Sequence, residues 1–150
     1  MLGIICAIRG GPASQPTISK SIQIAIDTGE TIYFLYVVNL DFLTHSSSSK
    51  TDQVSQEIKE MGEFILIDAQ ERAAGEGVTA EGEIRDGVVI DEILEFCREI
   101  DPEYVILGRP REEKENNLLS NDRLQKTIAR ITDVCRATVV LASDDPEQPV

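Results

Sequence analysis

The sequence predicts an α/β fold: a single doubly wound, five-stranded parallel sheet with helices on both faces. Two observations predict it. Short apolar runs rich in β-branched residues alternate along the chain with segments whose apolar residues recur at helical spacing. The resulting order, β-α-β-α-β-α-β-α-β, demands right-handed crossovers between parallel strands. The 150 residues suit one domain over residues 1–142, followed by an acidic, proline-bearing tail, 143–150, that is expected to fray.

Residues 2–8 are a continuous isoleucine-rich run, as in a strand covered on both faces. Gly10-Gly11-Pro12 ends it. Ile18, Ile22, Ala25 and Ile26 then form one stripe of a first helix, and Gly29 stands where a left-handed cap belongs. Residues 31–38, β-branched and aromatic, make the second strand. Residues 39–51 carry Ser46-Ser47-Ser48-Ser49 and exceed the usual α/β connection, so a mobile flap is expected.

Val54, Ile58, Met61, Ile65 and Ala69 mark the expected buried face of a second helix, closed by Gly75 and Gly77. Residues 78–84 alternate as a third strand, with Val78, Ala80, Gly82 and Ile84 on one side. Asp86 is expected to cap the third helix. That helix has Ile90, Ile93, Leu94 and Cys97 as its stripe and Pro102 just beyond its end. A fourth strand, 104–107, runs into Gly108, and a second long loop occupies 109–121. Leu124, Ile128, Ile131 and Cys135 trace the last helix, and Thr138, Val139, Val140 and Leu141 the last strand.

Charge narrows the partners. The net charge is −13, and residues 1–40 contribute nothing to it, since Arg9 and Lys20 balance Asp27 and Glu30. An acidic surface repels phosphate backbones and anionic lipid, so neither nucleic acid nor membrane is expected as a partner. The first apolar run is too short to span a bilayer or to act as a signal-peptide core, and a cytoplasmic location is expected. Three cysteines at unrelated spacings fit a reducing compartment, with Cys6 and Cys97 in the core and Cys135 closer to solvent. The single histidine, His45, rules against a histidine metal cluster, and no metal is expected.

Open α/β sheets bind ligands beyond the carboxyl ends of the strands, where the strand order reverses. If strands one and four are neighbours, Gly10 and Gly11 face Gly108 across that crevice. Glycines there either let the backbone approach a ligand or simply make tight turns. A phosphorylated receiver domain shares the β/α pattern, but Ile8-Arg9-Gly10 and Ile84-Arg85 lack the acidic residues such a site needs.

Residues 8–29, the segment Leu35-Tyr36-Val37-Val38 and above all residues 87–108, GVVIDEILEFCREIDPEYVILG, resemble the universal stress proteins. The resemblance runs over nearly the whole chain. It implies the adenine-nucleotide alpha-hydrolase-like arrangement, with strand order 3-2-1-4-5, and a homodimer formed through the last strand. That strand, Thr138-Val139-Val140-Leu141, is uncharged and offers an unpaired edge.

In nucleotide-binding members of the family an aspartate ends strand one, and three glycines punctuate the loop after strand four. The aspartate position falls on Arg9. The glycine positions fall on Gly108, Arg111 and Asn121, the last followed by Asp122. The candidate crevice therefore comprises Arg9, Gly10, Gly11, Val38, Gly108, Arg109, Arg111, Asn121 and Asp122.

Side chains at the glycine positions hinder a backbone cradle for phosphates, and Glu112, Glu113 and Glu115 repel a triphosphate. Arg109, Arg111, Lys114 and Arg9 act in the opposite direction. The reading that follows is a stress-response binding module without tight ATP binding, with no cofactor or catalytic set and a small anionic ligand at most. The alternative is a protein of the same family that binds ATP or another adenine nucleotide and hydrolyses it weakly.

Overall fold

The computed structural model describes residues 3–9, 14–38, 48–108 and 117–142, with the side chains of 48–52 and 117–123 outside the description. Strand β1 (Ile4–Ile8) leads to helix α1 (Gln15–Thr28), β2 (Ile32–Val38), α2 (Ser48–Gly75) and β3 (Ala80–Asp86). Then come α3 (Val89–Ile100), β4 (Tyr104–Gly108), α4 (Asn117–Cys135) and β5 (Thr138–Ala142). The five strands form one sheet in the order β3-β2-β1-β4-β5, with every neighbouring pair parallel. Ile4 pairs with Ile32 on one side and Tyr104 on the other, so β1 is the central strand.

Alternation along β1 divides the core into two layers. Ile4, Cys6 and Ile8 join Phe34 and Ile106 beneath Ile18 and Ile22 of α1 and Leu66, Ala69 and Ala73 of α2. Ile5, Leu35, Val105 and Leu107 meet Ile93, Leu94, Phe96 and Cys97 of α3 and Ile131 of α4 on the other face. Ile4, Ile5, Ile32 and Ile106 have no solvent exposure. Each contributes about 1.5–3 kcal/mol of burial free energy, which makes the strand centre the anchor of the fold.

The cap expected at Gly29 is present: its φ is 76°, and its N–H donates to the Ala25 carbonyl at 2.7 Å. Several expectations are corrected. Ile26 is half exposed, because the inward face of α1 centres on Ala25 and runs toward Thr17 and Ser21, whose small side chains let the helix lie close. Met61 likewise points outward. The inward stripe of α2 is Gly62, Leu66, Ala69 and Ala73, and a Cβ on Gly62 would come within 2.7 Å of the Tyr36 ring.

Strand β3 begins at Ala80 rather than at 78, because the Val78 N–H donates to Ala73 and finishes the end of α2. Asp86 does not cap α3. It remains in β3 opposite Val38 and pairs with Lys59 at 2.8 Å, while Val88 takes the cap position without a side-chain bond. Helix α2 already begins at Ser48, inside the flap expected over 39–51, and residues 39–47 lie outside the described residues. Helix α4 begins at Asn117, inside the expected second loop.

Candidate functional site

Strand order reverses between β1 and β4, and a cavity of about 260 Å³ lies beyond their carboxyl ends. Ala7, Leu35, Val37, Ile93, Leu107 and Leu124 give it apolar walls, drawn from three strands and both helices of that face. Arg9 and Gly108 stand at its strand ends, and Thr127 of α4 completes the lining. An apolar chamber with a few polar groups at its mouth is the usual form of a small-molecule site.

Arg9 is exposed, and its backbone is held in place by one residue. Its N–H donates to the Ser14 hydroxyl at 2.8 Å, and that hydroxyl donates in turn to the Arg9 carbonyl. Ser14 therefore spends its side chain on bridging the ends of the β1–α1 connection and makes no side-chain cap on α1. Pro16 sits in the first turn, where a missing N–H has no consequence for the helix. Gly108 has a packing reason to be glycine: a Cβ there would lie 3.0 Å from the Thr17 hydroxyl, and Thr17 is buried.

Arg9 and Gly108 are brought together as expected. Val38 lies at the end of β2, but alternation turns its buried side chain away from the face that Leu35 and Val37 supply. Its carbonyl accepts the Gly87 N–H at 2.9 Å, and Gly87, at φ 146°, swings the chain from β3 toward α3. Asn121 and Asp122 belong to the first turns of α4, not to a loop. Gly10, Gly11, Arg109 and Arg111 lie outside the described residues.

Ser14, Val37 and Thr127 were missed. Strict alternation from Leu35 identifies Val37, and a serine between a Gly-Gly-Pro turn and a helical stripe was the signal for Ser14. Thr127 carries no local signal.

Thiol chemistry at this site has no support. Burial pushes the Cys6 thiol up to about 12 and raises that of Cys97, so both stay protonated and inert. Among the described residues no cluster of histidine, cysteine, aspartate or glutamate could hold a metal ion, and no helix is long and apolar enough to cross a membrane.

The sequence profile described as the universal stress protein family matches residues 3–141. A curated universal stress protein of Methanocaldococcus jannaschii is 26% identical over 106 residues, which cover 70% of this chain. The matched stretch spans 62% of that relative's length. The solved universal stress protein UspA of Lactobacillus plantarum superposes with a TM-score of 0.75 at 14% identity, over 94% of this chain and 97% of that one. A universal stress protein of Arabidopsis thaliana, solved with AMP bound, superposes with a TM-score of 0.62 at 15% identity, over 99% and 96% of the two chains. With the profile matched across both halves of the sheet and the strand order shared by such structures, the chain belongs to the universal stress protein family.

Proposed function

We propose that this protein is a stress-response binding module that does not hold ATP tightly. The observation that carries the reading is Arg9, exposed at the end of β1 beside Gly108, where nucleotide-binding members of the family carry aspartate. A cation there cannot accept hydrogen bonds from a ribose or a base, as a carboxylate does. The chamber behind it, about 260 Å³ and apolar, lies below the usual size of about 300–1,000 Å³ for small-molecule sites. Arg111 and Asn121 replace the remaining glycines of the family's loop. A small anion held by Arg9 fits this arrangement, and among the described residues no catalytic set stands beside it.

Calorimetric titration of ATP with magnesium into the wild type, Arg9→Asp and Arg111→Gly tests the reading. No heat beyond dilution is expected from the wild type. Stoichiometric wild-type binding with a micromolar Kd would overturn it and establish the second reading, an adenine-nucleotide-binding protein. That second reading is favoured by the AMP bound to the Arabidopsis relative.

The same proposal includes a cytoplasmic homodimer built through β5. Free cysteines are consistent with the compartment. The two sheet edges differ in the way dimerisation requires. Strand β3 carries Glu81, Glu83 and Arg85, which discourage pairing, whereas β5 presents Thr138, Val139, Val140 and Leu141 without a charge. Light scattering at micromolar concentration should give the mass of a dimer, and a monomer would refute this part.

A further inference from the structure

Helix α2 is apolar on two faces. Leu66, Ala69 and Ala73 enter the core, while Met61, Phe64 and Ile67 point outward and are 62%, 77% and 53% exposed. A helix that needs only one buried face has no packing reason for a phenylalanine left so open. The three residues recur every third position and run about 9 Å along the helix. They border a cleft of about 460 Å³ between α1 and α2, floored by Ile18 and Ile65 and bounded at one end by Arg9.

The surroundings of this patch are acidic. Glu57, Glu60, Glu63, Asp68 and Glu71 are all exposed along the same helix. The cations within that stretch and just beyond it are already engaged: Lys59 pairs with Asp86 at 2.8 Å, and Arg72 bonds Gln15 and Ser19 of α1. The patch therefore combines apolar anchoring points with a rim on which the five carboxylates outnumber the charges of Arg72 and of Arg9 at the cleft's end.

We propose that this face of α2 is a docking surface for a basic, amphipathic segment of a partner protein. The apolar side chains of that segment would enter the cleft beside Phe64, and its lysines or arginines would meet the rim. Charge decides against a second copy of the chain. A two-fold interface on this face would set the same five carboxylates against each other, on a protein that already carries −13. A helix laid into a groove, with anchors at i, i+3, i+4 and i+7, is the recognition mode that suits an apolar stripe flanked by charge.

The test uses a fluorescein-labelled synthetic peptide of about four helical turns, with leucine or phenylalanine at i, i+3, i+4 and i+7 and lysine elsewhere. One control replaces every lysine with glutamate, and another scrambles the apolar positions. Binding to the full chain is read by anisotropy. The basic peptide should bind saturably, and both controls should bind at least about tenfold more weakly, roughly the effect of losing 1.4 kcal/mol. Phe64→Ser with Ile67→Ser should weaken binding by at least the same factor while leaving the circular dichroism and melting unchanged, since both side chains are exposed. Glu60→Lys with Glu63→Lys should do likewise.

Undiminished binding by the Phe64→Ser, Ile67→Ser protein would mean general adsorption to an acidic surface and would overturn the proposal. So would an assembly mass that falls when Phe64 is replaced, because a second copy would then cover the face. Absence of binding by the wild type would overturn it too, whether the face is covered by the chain's own segments or meets only water.

Discussion

The Arg85 guanidinium lies over the Phe96 ring, 4.7 Å from its centroid, and ties the edge strand β3 to α3. The same side chain donates to Glu83 at 2.9 Å and to both oxygens of Glu99 at 2.8 Å, and is 13% exposed. Phe96 meets Tyr33 edge to face at 6.2 Å, so the contact continues into the sheet. A shielded cation–π pair contributes about 2 kcal/mol, more than exposed ion pairs at about 0–1 kcal/mol each. Arg85→Ala should therefore lower the unfolding free energy by about 2 kcal/mol or more, measured by urea denaturation. Arg85→Lys keeps the charge but loses the planar fork, and should recover only part of the loss. An unchanged midpoint for Arg85→Ala would refute the anchoring role.

How much of this was readable in advance follows from what periodicity measures. The isoleucine run of β1, the alternation of strands with helices and the cap at Gly29 are local signals, and the structure contains them all. Periodicity does not decide which neighbouring stripe of a helix faces the core. In α1 and α2 the small residues Ser21, Gly62, Ala69 and Ala73 decide it by permitting close approach, and Ile26 and Met61 are left outside. At the crevice, the topology alone brought Arg9 and Gly108 together. The Val38 side chain falls on the other face of the sheet by one step of alternation. Thr127 reaches the cavity only through tertiary packing of α4, which no local pattern announces.

Glu30 and Glu103 oppose each other where α1 leads into β2 and α3 into β4. The Glu30 Oε2 is fully covered and has no hydrogen-bond donor among the described residues. Burial first, then the neighbouring Glu103 carboxyl, pushes the Glu30 pKa from its ordinary 4.5 up to about 7. The folded state thus binds this proton more tightly than the unfolded state does. The associated stability is complete below about pH 4.5 and is lost as pH rises through about 7. Glu30→Gln keeps the donor at every pH. Its unfolding free energy should exceed that of the wild type at pH 8 and converge with it near pH 4, in chemical denaturation series. A difference independent of pH would exclude the shared proton.

Gly62 offers a direct contest between two opposed effects. Alanine is favoured over glycine inside a helix by about 0.8–1 kcal/mol. A Cβ at position 62 would, however, stand 2.7 Å from the Tyr36 ring and 2.9 Å from the Ile84 Cδ1. Overpacking of this kind costs about 1–3 kcal/mol, so the clash outweighs propensity and Gly62→Ala should destabilise by about 1 kcal/mol. In a Tyr36→Ala background only the flexible end of the Ile84 side chain remains in the way, and the same change should become stabilising. A double-mutant cycle of melting or urea curves that gave additive effects would contradict the close approach.

The three cysteines should separate by reactivity. Cys6 and Cys97 are fully buried, and burial raises both thiols well above the range in which thiolate forms at neutral pH. Cys135, near the end of α4, is half-buried, with its thiol donating to the Ile131 carbonyl at 3.5 Å. Thiolate is the reacting species, so burial disfavours Cys6 and Cys97 on both access and ionisation. Native protein at pH 8 should react with a disulfide reagent at Cys135 alone, and denaturant should release the other two thiols. Cys135→Ser should abolish the native reaction without altering the two thiols released by denaturant. Rapid labelling of Cys97 in that variant would mean that α3 and α4 separate readily, contrary to the packing of Cys97 with Ile131 and Phe96 between helices and sheet.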